Sequence, residues 1–165
     1  AAECLRADQD VHMLLLGEGL RKRDVEQGIA ERKLTNITLA PSVRKEHMAD
    51  VLASSDACLA TLRDIPMFRM TYPNKVFDYM AAGRPTILAI DGVIRQVLEK
   101  AEGGICVPPG DSSAIADAVR HLRDHREQAR QMGESARDYV TKHFHRDDHA
   151  RMLEETLAEV TEPRR

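Results

Sequence analysis

The 165-residue sequence has few cysteines, no long apolar run and little net charge, and each absence excludes a class of protein. Three cysteines are too few, and odd in number, for a disulfide framework. Cys58 and Cys106 lie in apolar strand-like runs, so we expect buried, reduced thiols in a cytoplasmic protein. No apolar run is long enough to span a bilayer. A formal charge of −3 gives no electrostatic reason to expect binding to nucleic acid.

Length and composition are those of one ordinary globular domain. Hydrophobic residues make up 42% of the chain and charged residues 31%, which is typical of a folded protein with a single core. The length is enough for one such core but not for two. We therefore expect residues 1–165 to form a single domain.

Short apolar runs alternate with amphipathic stretches along the chain. Strands are predicted near residues 11–16, 36–40, 56–62, 85–90 and 104–107. Helices are predicted near residues 1–7 (a helix end), 20–32, 45–53, 73–82 and 92–101, with three more after residue 110. Strands that alternate with helices predict an α/β fold, a Rossmann-like doubly wound parallel sheet with helices on both faces.

The most informative segment is TYPNKVFDYMAAGRP, at residues 71–85. It predicts a short helix with Pro73 in its first position and Gly83 just past its end. Lys75 and Asp78 are three residues apart and therefore share one face of this helix. The free N–H groups of the first turn and Lys75 attract an anion, and Asp78 can accept two hydrogen bonds from a vicinal diol. A phosphate site beside a diol site predicts a nucleotide.

This segment resembles the donor-site helix of retaining GT-B glycosyltransferases, especially family-four enzymes of bacterial surface-polysaccharide and lipopolysaccharide synthesis. LLLGEG at 14–19 resembles the glycine turn of that family's C-terminal domain. NITLAP at 36–41 resembles its next strand and base-binding loop, and GGICVPPGD at 103–111 its last strand and exit turn. The resemblance implies the C-terminal domain of a GT-B fold.

The resemblance also implies a donor-nucleotide site built from the helix and the loops around it. Its residues would be Asp78, Lys75, Tyr72, Thr71, Asn74, Gly17, Gly19, Ser42 and Val43. No catalytic residue can be assigned in the same way. Simpler alternatives stay open, because a helix-surface carboxylate or cation needs no ligand and the two glycines need only permit a turn.

The loop before the helix departs from the family pattern. Many members carry a Glu eight residues before the position of Asp78, where this sequence has Met70. The sugar contact of that Glu cannot be carried over, and Arg63 and Arg69 are candidates for contacts to the sugar or the diphosphate. The loop is also unusually apolar, which indicates either packing or a pocket for a deoxy or N-acetylated sugar.

The resemblance implies that the full-length enzyme transfers a hexosyl or N-acetylhexosaminyl group. The donor would be a nucleotide diphosphate sugar, UDP-linked, and the acceptor a lipid-linked sugar or a polysaccharide. Helix N–H groups and Lys75 would stabilise the departing diphosphate, with no metal or other cofactor. The histidines at 143, 145 and 149 do not complete a recognisable metal-ligand spacing. We expect a cytoplasmic protein, peripheral at the inner membrane face when full length.

The family pattern also predicts what is absent. The sequence begins within what resembles the first helix, so the first strand, which is central in a doubly wound sheet, has no counterpart. We therefore expect a fragment that binds the donor without catalysing transfer. A C-terminal helix at 144–161 would cross back to the missing N-terminal domain. Its uncovered apolar stripe predicts fraying at 162–165 or a homodimer contact.

Two alternatives come from other classes of protein. A GT-B-type sugar-nucleotide epimerase would share the donor domain but needs catalytic carboxylates and a His in the missing half. A non-catalytic flavodoxin-like signalling module needs an acidic cluster at the strand ends, and Asp56 and Asp91 are too few to supply it.

Overall fold

The computed structural model describes residues 1–161, apart from the side chains of Arg146 and His149, and contains two parallel sheets. The first sheet pairs β1 (Met13–Leu16) with β2 (Ile37–Ala40). The second has the order β3 (Cys58–Thr61), β4 (Thr86–Ala89), β5 (Gly104–Cys106). Every pairing is parallel, which confirms the predicted α/β class. The strands do not, however, join into one sheet.

Eight helices lie in the described part of the chain. They are α1 (Lys22–Glu31), α2 (Lys45–Ala53), α3 (Pro66–Arg69), α4 (Asn74–Ala81), α5 (Val93–Lys100), α6 (Ser112–Asp124), α7 (Arg126–His143) and α8 (Arg146–Thr161). The sequence predicts all of them except α3, which lies in the expected loop before α4. Residues 1–7 form hydrogen-bonded turns rather than the predicted helix end. The fraying predicted for 162–165 lies outside the described residues.

The two sheets can be compared with the strand order of a doubly wound sheet. A doubly wound sheet has the strand order 3-2-1-4-5-6, in which the first strand is central. In that order two strands lie on one side of the first strand and three on the other, and the described sheets, β2-β1 and β3-β4-β5, are likewise a pair and a triplet. Among the described residues, β1 pairs only with β2 and β3 only with β4, so each has one edge without a neighbouring strand.

The core lies on the two faces of the second sheet. All four residues of β4 are buried, and successive side chains point to opposite faces. Leu88 packs in one cluster with side chains of α4, α5 and α7, while Ile87 and Ala89 pack in another with side chains of α6. A parallel sheet requires cover on both faces, and the second sheet has it.

The first sheet is much less buried. No residue of β1, α1 or β2 is buried, and Leu14 of β1 is 55% exposed. Residues 1–10 connect this region to α6. The amide of Asn36 donates a hydrogen bond to the Ala2 carbonyl at 2.8 Å, and Asp8 accepts hydrogen bonds from two arginines of α6. Those hydrogen bonds hold the pKa of Asp8 below its usual range.

Gly83 ends α4 in a left-handed conformation, with a φ of 67°. Its N–H donates to the Met80 carbonyl at 2.9 Å, and the next N–H donates to the Tyr79 carbonyl at 3.1 Å. This is a Schellman motif, and it confirms the predicted position of Gly83. Pro73, predicted in the first helical position, instead lies one residue earlier at the N-cap, because its ψ of 119° is extended.

Helix α7 contacts the end of α4 through backbone atoms. A Cβ built on Gly133 of α7 would lie 2.1 Å from the carbonyl oxygen of Gly83, closer than any real contact. Only glycine therefore permits this approach of the two helices.

The three cysteines are free, and two of them are shielded from solvent. Cys58 is buried and Cys106 half-buried, while Cys4 is exposed. Burial raises the pKa of the Cys58 thiol, and it raises that of Cys106 to about 11. Both groups therefore stay protonated, and poorly nucleophilic, near neutral pH.

We predict that Gly133→Ala lowers the free energy of unfolding by about 2 kcal/mol or more, because the new methyl group overlaps the Gly83 carbonyl. The control is Gly28→Ala, also within a helix, where the new Cβ meets only the flexible end of Arg32 at 3.3 Å. That variant keeps or gains stability, since Ala is favoured over Gly in helices. Urea denaturation measures both, and a Gly133 variant as stable as the wild type would contradict the prediction.

Candidate functional site

The predicted site residues form two groups, each at the carboxyl end of one sheet. Gly17 and Gly19 follow β1, and Ser42 and Val43 follow β2. These two loops adjoin, because the Gly17 N–H donates to the Ala40 carbonyl at 3.1 Å. The second group belongs to the second sheet and comprises the β3–α4 loop and the first turns of α4. Ligands of open α/β sheets bind at such carboxyl ends.

The first turn of α4 has the character of an anion site. It carries no acidic residue and no side-chain cap, and Lys75 is its only charged residue. A cation in the first turn opposes the helix dipole, so this arrangement is unfavourable until an anion is present. Among the described residues, no carboxylate pairs with Lys75.

Asp78 lies one turn further along the same exposed face. Val76 and Met80 are buried on the opposite face of α4, which directs Lys75 and Asp78 towards solvent. The described residues give the Asp78 carboxylate no hydrogen bond and no ion pair. Both oxygens are therefore free to accept hydrogen bonds from a ligand.

The residues at and just before the start of α4 differ in the contacts that their side chains already make. The Thr71 hydroxyl donates to the Met67 carbonyl at 3.0 Å, which leaves its lone pairs available. The Tyr72 ring is exposed and lies 6.3 Å from the Phe77 ring. Asn74 is exposed at the start of the helix.

The two arginines of the β3–α4 loop are not equivalent. The Arg69 Nε and Nη2 both donate to one oxygen of Asp64, at 3.0 and 2.8 Å, and this pairing raises the pKa of Arg69. Its charge is therefore partly neutralised within the loop. Arg63 is exposed and has no carboxylate partner among the described residues. Of the two, Arg63 is the more available cation.

Phe77 connects the site helix to the far end of α7. Its ring centroid lies 4.9 Å from that of Phe144, the C-cap residue of α7. Phe144 in turn lies 6.3 Å from Tyr139 of α7. Most of the chain's few aromatic side chains thus form one row from the β3–α4 loop to the α7–α8 junction.

Two features are absent from the part of the chain that the structure describes, a cluster of metal ligands and a helix suited to cross a membrane. No group of three His, Cys, Asp or Glu side chains there could hold a metal ion. Within residues 1–161, no helix combines the length and apolar character that crossing a bilayer requires. Every described side chain of α8 is exposed.

The chain is similar to known glycosyltransferases. It is 26% identical over 137 residues to alpha-D-kanosaminyltransferase of Streptomyces kanamyceticus, and 28% identical over 135 residues to N-acetyl-alpha-D-glucosaminyl L-malate synthase of Bacillus anthracis. Each match covers 82% of this chain but 34% of the relative, so the chain spans about a third of these curated relatives.

A solved structure confirms the predicted GT-B fold. Anabaena Alr3699/HepE in complex with UDP superposes with a TM-score of 0.83 at 17% identity, over 96% of this chain and 44% of that one. A family model, glycosyl transferases group 1, matches residues 1–125. The family predicted from the sequence motifs is thereby confirmed, and the chain belongs to the glycosyl transferases group 1.

Proposed function

We propose that this chain is the donor-binding half of a retaining glycosyltransferase that takes a sugar from a UDP-linked donor. The observation that carries the proposal is the outward face of α4, where Lys75 and Asp78 lie three residues apart and have no partner among the described residues. The first turn would bind a phosphate, and Asp78 would accept hydrogen bonds from both ribose hydroxyls.

The named relatives support a nucleotide-sugar donor. One structure of this fold was solved with UDP, and the name of one relative contains an N-acetylglucosaminyl group. The loops with Gly17, Gly19, Ser42 and Val43 would contact the nucleotide from the first sheet. Arg63 would contact the diphosphate or the sugar, whereas Arg69 is engaged with Asp64.

The chemistry we assign to this half is electrostatic. Fixed N–H groups of α4 and the Lys75 ammonium would stabilise the negative charge that develops on the departing diphosphate, and no metal would be required. Transfer also needs an acceptor held in line with the donor. We therefore expect this chain alone to bind the donor without transferring sugar.

The proposal also covers the acceptor of the full-length enzyme and the place in the cell where it acts. The acceptor would be a lipid-linked sugar or polysaccharide, such as one of lipopolysaccharide synthesis, at the inner face of a membrane. Helix α8 would contact the acceptor-binding half, or a second copy of this chain. Its exposed apolar stripe, Leu153, Leu157 and Val160, has the spacing of one helix face.

We predict that the 165-residue chain binds UDP equally well in EDTA and in Mg²⁺, because α4 and Lys75 already supply the positive potential. Calorimetric titration measures this, with FMN as the control ligand, which should not bind. UDP binding only with Mg²⁺ or Mn²⁺ would contradict the metal-free site. FMN binding without UDP binding would favour a flavodoxin-like module instead.

We predict that Asp78→Asn raises the dissociation constant for UDP about tenfold or more, because hydrogen bonds to a charged group contribute roughly 1.5–3 kcal/mol. The melting temperature should stay unchanged, since Asp78 is exposed. Asp50→Asn is the matched control, an exposed carboxylate in the second turn of α2. Equal UDP affinity in the Asp78 and Asp50 variants would leave Asp78 as a solvated helix residue.

A further inference from the structure

The β3–α4 loop presents apolar side chains to solvent beside the proposed donor site. Met67, Met70 and Tyr72 are 67%, 80% and 53% exposed, and Ile65 is exposed as well. We call these four side chains the apolar lip. Packing in the core does not account for them. Met67 and Met70 are three residues apart in and just after α3, which places them on the same side of that turn. Exposed apolar side chains that lie so close along the chain indicate a surface that contacts a ligand or a partner.

The lip is held in place by the backbone that carries it. The Asp64–Arg69 ion pair closes the loop across α3, and Thr71 closes its end through the hydrogen bond to the Met67 carbonyl. The Arg69 carbonyl lies so close to Gly92 that a Cβ on that glycine would be 1.9 Å from it. The loop backbone therefore packs against the turn before α5. Met67 and Met70 extend into solvent from this packed backbone.

The chemistry of the lip favours an apolar group over a hydroxyl. Methionine offers polarizable surface and only a weak acceptor, so Met67 and Met70 gain little from a hydroxyl and more from a methyl group. Of the charged side chains nearby, Asp64 and Arg69 are directed to each other, whereas Arg63 has no carboxylate partner among the described residues. A sugar hydroxyl placed on Met67 and Met70 would lose its hydrogen bonds to water without replacement from those two side chains.

The lip is also small. Four side chains fall far short of the roughly 20–30 residues per side of a stable protein interface. The four-residue helix α3 is too short to lie along a membrane surface as an amphipathic helix. A small apolar group matches the lip in size.

We infer that the apolar lip receives a methyl-bearing substituent of the donor sugar, either the acetyl methyl of an N-acyl amino sugar or the C6 methyl of a 6-deoxy sugar. This rests on the proposed function, because the lip is placed by its proximity to the nucleotide site. Tyr72 precedes Lys75 by three residues, and its ring lies 6.3 Å from Phe77 of α4.

The test compares the affinities of the 165-residue chain for UDP, UDP-glucose, UDP-N-acetylglucosamine and UDP-6-deoxyglucose by calorimetry. At least one methyl-bearing sugar should bind more tightly than UDP-glucose, by about fourfold for each buried methyl group. The arm that shows the gain identifies which methyl is recognised.

Substitution of lip residues then tests whether the lip causes the preference for a methyl-bearing sugar. Met67→Gln and Met70→Gln keep the side-chain length but add a polar amide, and they should abolish the preference while leaving UDP affinity unchanged. The control is Met152→Gln on α8, which is also an exposed methionine and should keep the preference.

The other outcomes overturn one or both proposals. Failure of UDP itself to bind would refute the proposed function. UDP binding with equal affinity for all three sugars would overturn the lip inference alone, as would a preference that survives both lip substitutions. Sedimentation of the chain with phosphatidylcholine–phosphatidylglycerol vesicles, lost in the lip variants, would overturn it in favour of a membrane contact.

Discussion

The backbone contact between Gly83 and Gly133 determines where α4 lies, and the candidate site depends on α4. The same glycine ends the helix and touches α7, so the helix cannot slide or rotate without breaking that contact. With Val76 and Met80 buried beneath it, the opposite face must carry Lys75 and Asp78 outward. The outward position of Lys75 and Asp78 thus depends on the buried face of α4 and on a contact between two residues without side chains.

Local patterns in the sequence identify most of this fold because they reflect helix and strand periodicity and the conformational preferences of turn residues. The bounds of α2, the closing role of Gly83 and the parallel class of the sheets all follow from periodicity and turn chemistry. The prediction for Pro73 is wrong by one residue. The first helical position and the N-cap position differ only in ψ, which the sequence does not reveal. Helix α3 escapes prediction because it is a single turn and its closing ion pair joins residues five apart, which matches no helical period.

The candidate site also has features that the sequence predicts and features that it does not. Placing Lys75 and Asp78 on one face needs only helical spacing, so the sequence predicts it. The engagement of Arg69 with Asp64, and the exposure of Met70, depend on how the loop folds back on the turn before α5. No spacing rule distinguishes Arg63 from Arg69, yet the structure leaves the Arg63 guanidinium without a described carboxylate partner and pairs that of Arg69 with Asp64. What sequence reasoning lacks here is the direction of side chains in irregular backbone.

Among the described residues, one edge of β1 has no neighbouring strand, and this has a consequence for how the chain behaves in solution. Its four residues, Met-Leu-Leu-Leu, include no proline and no charge, and their register with β2 is unbroken by a bulge. Proline, charge and bulges are the devices by which natural sheets discourage strands of other molecules from adding on. A strand of a neighbouring copy can hydrogen-bond there as well as a strand of the same molecule. This edge is therefore a place where copies of the chain can associate through backbone hydrogen bonds.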